Sequence, residues 1–414
     1  MALKYMFRNF LLLILSLTIV SCDNFGSRKI KNINELTPLL SVNSNEQITV
    51  NVDLESPFKN SIKSYAVAKS KIISNPVFAK GTLYSVDSKG VVTAFSVKEK
   101  RILWSQDVAG KIFDKNFVGG GVAYNNEKLF VTNGSRFLIV LNAKTGHELK
   151  RKEFPDIIRN KPVLLSEKEV IIQTISNQVF DYNIDTANMV WQHEGIVETL
   201  TSRKHIDPII YNDKVIISYS SGQMVNLEGK TGQEIWQVNL ANDQDLSLPN
   251  FDPSSISCQP VIEENNIYVS SGTNKITKLN AVNGQVVWQV DASDIKSMSL
   301  NGNNLFTTNN AKQIVALSTY DGKIKWISDL DFKLDKHKAK AASFLNPLVL
   351  KNANGWELAV IDNIGGIYSF AGNNGNLETM PILTKIMKNA EYSGVTCCGN
   401  IYIIADNKAL FFNK

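Results

Sequence analysis

The residues of this chain whose types could do chemistry are four histidines and four cysteines. His147, His193, His205 and His337 stand far apart with no spacing suited to a metal, and the chain has no nucleophile elbow, phosphate loop, zincin motif or calcium loop. No acid–base pair can be nominated, so the sequence offers no catalytic centre. Cys397 and Cys398 are adjacent and could close a vicinal disulfide, although two buried thiols on an inner strand are the simpler reading. With Cys258 they are too few for a disulfide-built scaffold, so the fold must rest on a hydrophobic core. Cys22 is different in kind, because it directly follows the small Ser21 at the end of an apolar stretch.

That stretch begins after Lys4 and Arg8, runs from Phe10 to Leu15, and continues past Ser16 to Val20, the pattern of a secretory signal. About eleven apolar residues fall far short of the roughly 20 that a membrane-crossing helix needs, and the polar pair Asp23-Asn24 follows at once. Ile19-Val20-Ser21-Cys22 resembles the lipobox of bacterial lipoproteins. The resemblance implies cleavage before Cys22 and attachment to a membrane through two or three acyl chains, which anchor durably where one chain binds only marginally. In the best-known sorting rule an aspartate at the second mature position, helped by Asn24, retains a lipoprotein in the inner membrane, so Asp23 keeps both membranes open. Loss of residues 1–21 removes Lys4 and Arg8 and no acid, and the formal charge falls from +5 to +3. Nothing in that balance supports binding to nucleic acid.

The elements come from an internal repeat. Leu83 to Val86, Val91 to Phe95 and Arg101 to Trp104, separated by polar turns, read as three successive strands. The phrase ending in Trp104 returns as Leu141 to Lys150, Tyr182 to Trp191, Leu227 to Trp236, Leu279 to Trp288, Leu317 to Trp326 and Phe370 to Thr379. Five copies carry glycine at one turn position (Gly146, Gly232, Gly284, Gly322, Gly375), where Lys100 and Ala187 fill the other two; glycine suits a turn with positive φ. Five copies end in tryptophan, Lys150 and Thr379 being the exceptions, and each ring is expected to pack between neighbouring units. Successive ends lie 38 to 53 residues apart, the size of a four-stranded propeller blade.

An eighth unit, Ile401 to Ile404 and Ala409 to Phe412, lacks an outer strand. Closed rings avoid an open edge by borrowing a strand from the other terminus, and Gln47 to Leu54 alternates polar and apolar residues as such a strand should. The expected organisation is therefore a signal peptide over 1–21, a lipidated flexible tether over 22–46, and an all-β fold over 47–414: an eight-bladed propeller of four-stranded antiparallel blades closed by an N-terminal strand.

Leu-Asn-Ala-Lys-Thr-Gly at 141–146 and Lys-Thr-Gly-Gln-Glu-Ile-Trp at 230–236 resemble the repeat of PQQ-type propellers, which divide into enzymes and scaffolds. Lipobox, short tether and eight such blades together are similar to the BamB family, and the similarity spans essentially the whole chain. It implies a non-catalytic lipoprotein scaffold without cofactor on the periplasmic face of the outer membrane. Such a scaffold steadies the periplasmic domains of BamA beside the other β-barrel assembly subunits and holds nascent outer-membrane proteins nearby. In the family a loop into the fourth blade docks BamA through leucines and an arginine ahead of a proline. Here Leu200 and Arg203 fall on that pattern before Pro208, while Ser202 replaces a second leucine. An acidic pair before the proline of the fifth blade makes a second contact, and Ser255 and Ser257 stand in its place before Pro260. A partner of this chain must then have changed its own charge to match.

The alternatives are a propeller serving another envelope complex at the inner membrane and a PQQ-dependent dehydrogenase. In the enzymes a quinone and a calcium ion sit over the central funnel, and long segments between blades build the site. Only 241–256 and 329–343 exceed ordinary loop length here, the second made basic by Lys333, Lys336, His337, Lys338 and Lys340; a solvated loop is the simpler reading, and contact with phosphate groups at a membrane surface is the alternative.

Overall fold

The structure, a computed structural model, describes residues 64–110, 117–196, 206–240, 256–271, 274–292, 294–329, 343–352, 355–363, 366–375, 377–383, 389–395 and 401–412. Cys22, Asp23, Gln47 to Leu54, the 329–343 lysines and Cys397-Cys398 lie outside them.

The first blade shows how the sequence dictates the pattern. Its strands Val77–Ala79, Thr82–Val86, Val91–Ser96 and Arg101–Asp107 are rich in β-branched and aromatic residues and are cut by polar turns. Lys80 and Gly81, both at positive φ (46° and 80°), make the two-residue turn that matches strand twist. The strands pair antiparallel in chain order, and the same order builds six more sheets, covering 121–153, 163–194, 209–239, 261–291, 295–329 and 348–383. First strands of neighbouring blades lie side by side, as Val77–Ala79 does with Gly121–Asn125, which puts them at the axis and the fourth strands at the circumference.

Every middle strand is covered on both faces by other blades, and Thr82–Val86 is buried throughout. The core is consequently eight separate clusters, one in each seam between blades. Phe130, Leu138 and Phe154 meet Val170, Ile172 and Phe180 between blades 2 and 3, while Ile171, Val179 and Trp191 meet Val215, Ile217 and Leu227 between blades 3 and 4.

In all seven complete repeats the outer strand bulges at one place: Ala94 faces Trp104 and Phe95 faces Ile102, so Leu103 has no partner. Leu149, Val190, Ile235, Val287, Lys325 and Glu378 are bypassed in the same way. A bulge sharpens twist and re-aims the next side chain. Here it aims the tryptophan across the seam, where Nε1 donates to a backbone carbonyl of the next blade: Trp104 to Ala143 O (3.0 Å), Trp191 to Gly229 O (2.7 Å), Trp236 to Ala281 O (3.0 Å), Trp288 to Thr319 O (3.2 Å) and Trp326 to Gly372 O (3.1 Å).

The turn glycines follow from this contact. Gly232 has φ +69°, and a Cβ built there would stand 2.6 Å from the Trp191 ring; Gly146, Gly284, Gly322 and Gly375 meet the preceding blade's tryptophan in the same way. Where that blade lacks a tryptophan the glycine is absent too. Lys150 replaces the ring in blade 2, its Nζ donating to Ile184 O and, at 3.3 Å, to Asp185 O, and the turn it faces carries Ala187 (φ 59°).

Blade 8 is closed by an N-terminal strand, as expected, but the strand is Ser64–Ala66 rather than Gln47 to Leu54. Ser64, Tyr65 and Ala66 pair with Leu410, Ala409 and Lys408, so the outer position is filled. Val67 N and Ile72 N continue the zip onto Asn407 O (2.9 Å) and Asp406 O (2.8 Å). Tyr65 leans on Phe95 and Phe411, centroids 6.1 and 6.2 Å away, and Lys100 Nζ caps Phe411 at 4.4 Å. This aromatic cluster takes the place of tryptophan and glycine at the closing seam.

Candidate functional site

Because the four strands of a blade alternate in direction, the turn between its second and third strands shares a face of the disc with the connection entering the next blade. Those inlets carry every residue that the family resemblance nominates for a partner. Leu200, Ser202 and Arg203 belong to 197–205 and Ser255 to 241–255, both outside the described residues.

Three consecutive inlets are fastened to one another. Arg159 O accepts from Gly120 N (2.6 Å), and Asn160 O from the Thr132 hydroxyl (2.7 Å), which ties the third inlet to blade 2. Asn160 Nδ2 donates to Ile206 O (2.5 Å), and Lys161 N to Asp207 Oδ1 (3.0 Å), with Lys161 Nζ 3.7 Å from Oδ2. Asp207 N donates to Gln259 Oε1 (2.9 Å), and Gln259 Nε2 returns a bond to Asp207 O (3.0 Å). Burial pushes the Asp207 carboxyl above its ordinary pKa, and Lys161 pulls it back. Each link contributes about 1 kcal/mol, and the row holds the inlets of blades 3, 4 and 5 in fixed spacing.

Pro162, Pro208 and Pro260 come directly before the strands Val163–Leu164, Ile209–Tyr211 and Val261–Glu263, places that need no backbone donor. Asn160, Asp207 and Gln259 were not singled out by sequence reasoning; the polar residues just ahead of three recurring prolines were the available signal.

Ser257 is turned inward. Its Oγ donates to Ser270 and lies 3.0 Å from the backbone O and 2.8 Å from Oγ, while its N–H donates to Ser270 O at 2.8 Å. Ser257, which the resemblance nominates for a partner, is a stitch within blade 5. On the other side, Gly195 N donates to Asn177 O (2.9 Å), and Asn177 Nδ2 donates to Ile196 O (2.5 Å) and Ser220 Oγ (2.9 Å). His193 Nδ1 meets the Tyr219 hydroxyl at 2.7 Å with the rings stacked, and burial lowers the imidazole pKa against the pull of Glu234 and Glu194. Beyond this anchored root Ile196 is 64% exposed, an apolar side chain standing at the start of 197–205. Among the described residues no group of three or more His, Cys, Asp or Glu side chains is placed to hold a metal ion, and no helix is long and apolar enough to cross a membrane.

Residues 88–328 match the family described as outer membrane protein assembly factor BamB. An uncharacterized protein of Rickettsia conorii is 42% identical over 97% of this chain and 99% of its own length. Outer membrane protein assembly factor BamB of Yersinia pestis is 30% identical over 53% of this chain and 57% of that protein. The crystal structure of BamB from Moraxella catarrhalis superposes with a TM-score of 0.67 at 17% identity, covering 85% of this chain and 100% of that one, a likeness of fold. Five seam tryptophans with their glycines, eight four-stranded blades and a profile match over more than half of the sequence agree: the chain belongs to the BamB family of outer membrane assembly factors.

Proposed function

We propose that this protein is a non-catalytic scaffold of a β-barrel assembly complex, held by acyl chains on Cys22 at the periplasmic face of the outer membrane and docking BamA through the inlets of blades 4 and 5. The observation that carries the reading is the bonded row Asn160, Asp207, Gln259, which holds three neighbouring inlets, those of blades 4 and 5 among them, side by side on one face without using up the exposed Ile196. A rigid row presents loops at low entropic cost to a partner. Leu200 and Ile196 then supply apolar contact, and Arg203 a charge. With serines at 255 and 257, the second contact is neutral, and the partner surface opposite it is expected to lack the basic residues that an acidic pair would demand.

Affinity purification from the native envelope tests the partner. Recovery of BamA with the wild type is expected, with Arg203→Glu recovering at least tenfold less than Lys144→Glu on the opposite face, since a reversed interfacial charge costs about 1.4 kcal/mol or more. Equal recovery by the two variants overturns the assignment of the loop, and bound quinone in place of BamA overturns the scaffold. The anchor is tested separately. Cys22→Ser is expected to abolish palmitate labelling and release the protein from membranes, because acyl chains supply nearly all of the membrane affinity. Fractionation of the wild type then separates the outer membrane from the inner-membrane retention that Asp23 suggests.

A further inference from the structure

The residue opposite each seam tryptophan, on the third strand, points with it at the next blade. In blade 4 it is Asn226, whose Nδ2 donates to Ala281 O (3.2 Å), the carbonyl that Trp236 also uses. In blade 5 it is Lys278, whose Nζ donates to Thr319 O (2.8 Å), shared with Trp288. In blade 3 the residue opposite Trp191 is Asp181, and the matching carbonyl is Gly229 O. Asp181 is fully buried, and neither carboxyl oxygen has a hydrogen-bond partner among the described residues.

An ionised carboxylate can only accept, and nothing here donates to it; an unpaired buried charge is among the costliest things a fold can hold. A protonated carboxyl carries an O–H, and the two following blades show where a donor at this position goes. We propose that Asp181 is protonated in the closed seam and donates to the carbonyl of blade 4, so that losing its proton loosens the seam between blades 3 and 4 and the root of the 197–205 inlet. The inference does not depend on what that inlet binds.

Burial, reinforced by the like charge of Glu169 on the adjoining strand, carries the carboxyl from its ordinary 3.8 to about 7. The folded chain therefore binds this proton more tightly than the unfolded chain. The seam's support is complete below the ordinary value and is lost as pH rises through about 7. His193, with Glu234 facing it across the same seam, acts with the opposite sign: its lowered pKa makes protonation, and hence falling pH, the unfavourable direction. The two groups are separated by substituting Asp181 alone.

The test is amide hydrogen exchange by mass spectrometry on the full chain, corrected for intrinsic rates, between pH about 5 and about 8. Peptides covering 170–182 and 215–228 are expected to lose protection by up to about tenfold per pH unit in the wild type. Asp181→Asn keeps a donor, as in blade 4, cannot ionise, and is expected to remove that dependence, while the blade 5 strands Asn266–Ser271 and Lys275–Asn280, beyond the next seam, stay flat in both proteins. The same pH dependence in the wild type and in Asp181→Asn overturns the proposal. A second measurement needs no variant: carboxyl carbon resonances of aspartate-labelled wild type should include one that titrates within about one unit of pH 7, and titration of every aspartate in the ordinary range overturns the proposal as well.

Discussion

A chain shortened through Ala68 is expected not to melt cooperatively at any temperature where the full chain is folded, whereas one lacking only residues 23–46 should melt with the full chain. The longer deletion removes the three residues paired to blade 8, the bonds of Val67 and Ala68 onto Asn407, the buried Val67 and the Tyr65 ring between Phe95 and Phe411. Burying a valine stabilises by roughly 1.5–3 kcal/mol, each backbone bond by about 1 and each aromatic pair by about 0.5–1.5. Together these are of the same order as the ~5–15 kcal/mol that holds a whole domain. Differential scanning calorimetry of a third variant, lacking 23–62, locates the boundary. If it melts as poorly as the deletion through Ala68, Gln47 to Leu54 contributes to closure and Ser64–Ala66 is only part of the strap.

The seam contact predicts a second large effect. Gly232→Ala places a Cβ against the Trp191 ring and forces a left-handed conformation on alanine, and it should cost about 2–4 kcal/mol, read as a shift of the urea midpoint. The reverse experiment uses the seam that never had the ring. Lys150→Trp alone should destabilise, because the facing turn carries the Ala187 methyl. Adding Ala187→Gly should restore stability, with a coupling of about 1–3 kcal/mol in the double-mutant cycle. Were Lys150→Trp equally stable with alanine and with glycine at 187, the stacking account of the turn glycines would be wrong.

The pairing of Trp with Gly is the clearest case of what the sequence carried. Both residues were visible at fixed offsets, and so were the gaps at Lys100, Lys150 and Ala187. What remained hidden was that gap and gap belong together across a seam, since Lys150 and Ala187 sit in different blades. The bulge also escaped notice, because bypassing Leu103 or Val190 changes pairing without changing spacing. The closing strand was misplaced for a physical reason. Gln47 to Leu54 has eight residues of alternation, whereas Ser64–Ala66 is held by three backbone pairs and one aromatic side chain, too short to show any period. At the candidate site the prolines marked where inlets end. The bonds that make Asn160, Asp207 and Gln259 one row join positions about fifty residues apart, and a local pattern cannot reveal them.

The closing strand also sets an order of events in time. Blade 2 can form as soon as residues 121–153 have been made, but blade 8 joins Asn407 to Ala68, 339 residues apart, so the first strand of the ring must wait for the last. Contacts so distant in sequence form slowly. In the interval the protein is an open arc with two raw ends: the aromatic wall of blade 1 that will receive Tyr65 and Phe411, and the unpaired edge of the strand Lys408–Phe412. Synthesis therefore carries a period of exposure to aggregation and proteolysis that ends in one step, when the strap lands. The same step delays opening afterwards, because a closed ring has no terminal blade from which to fray, and its lifetime is set by the rate at which a three-residue strand lets go.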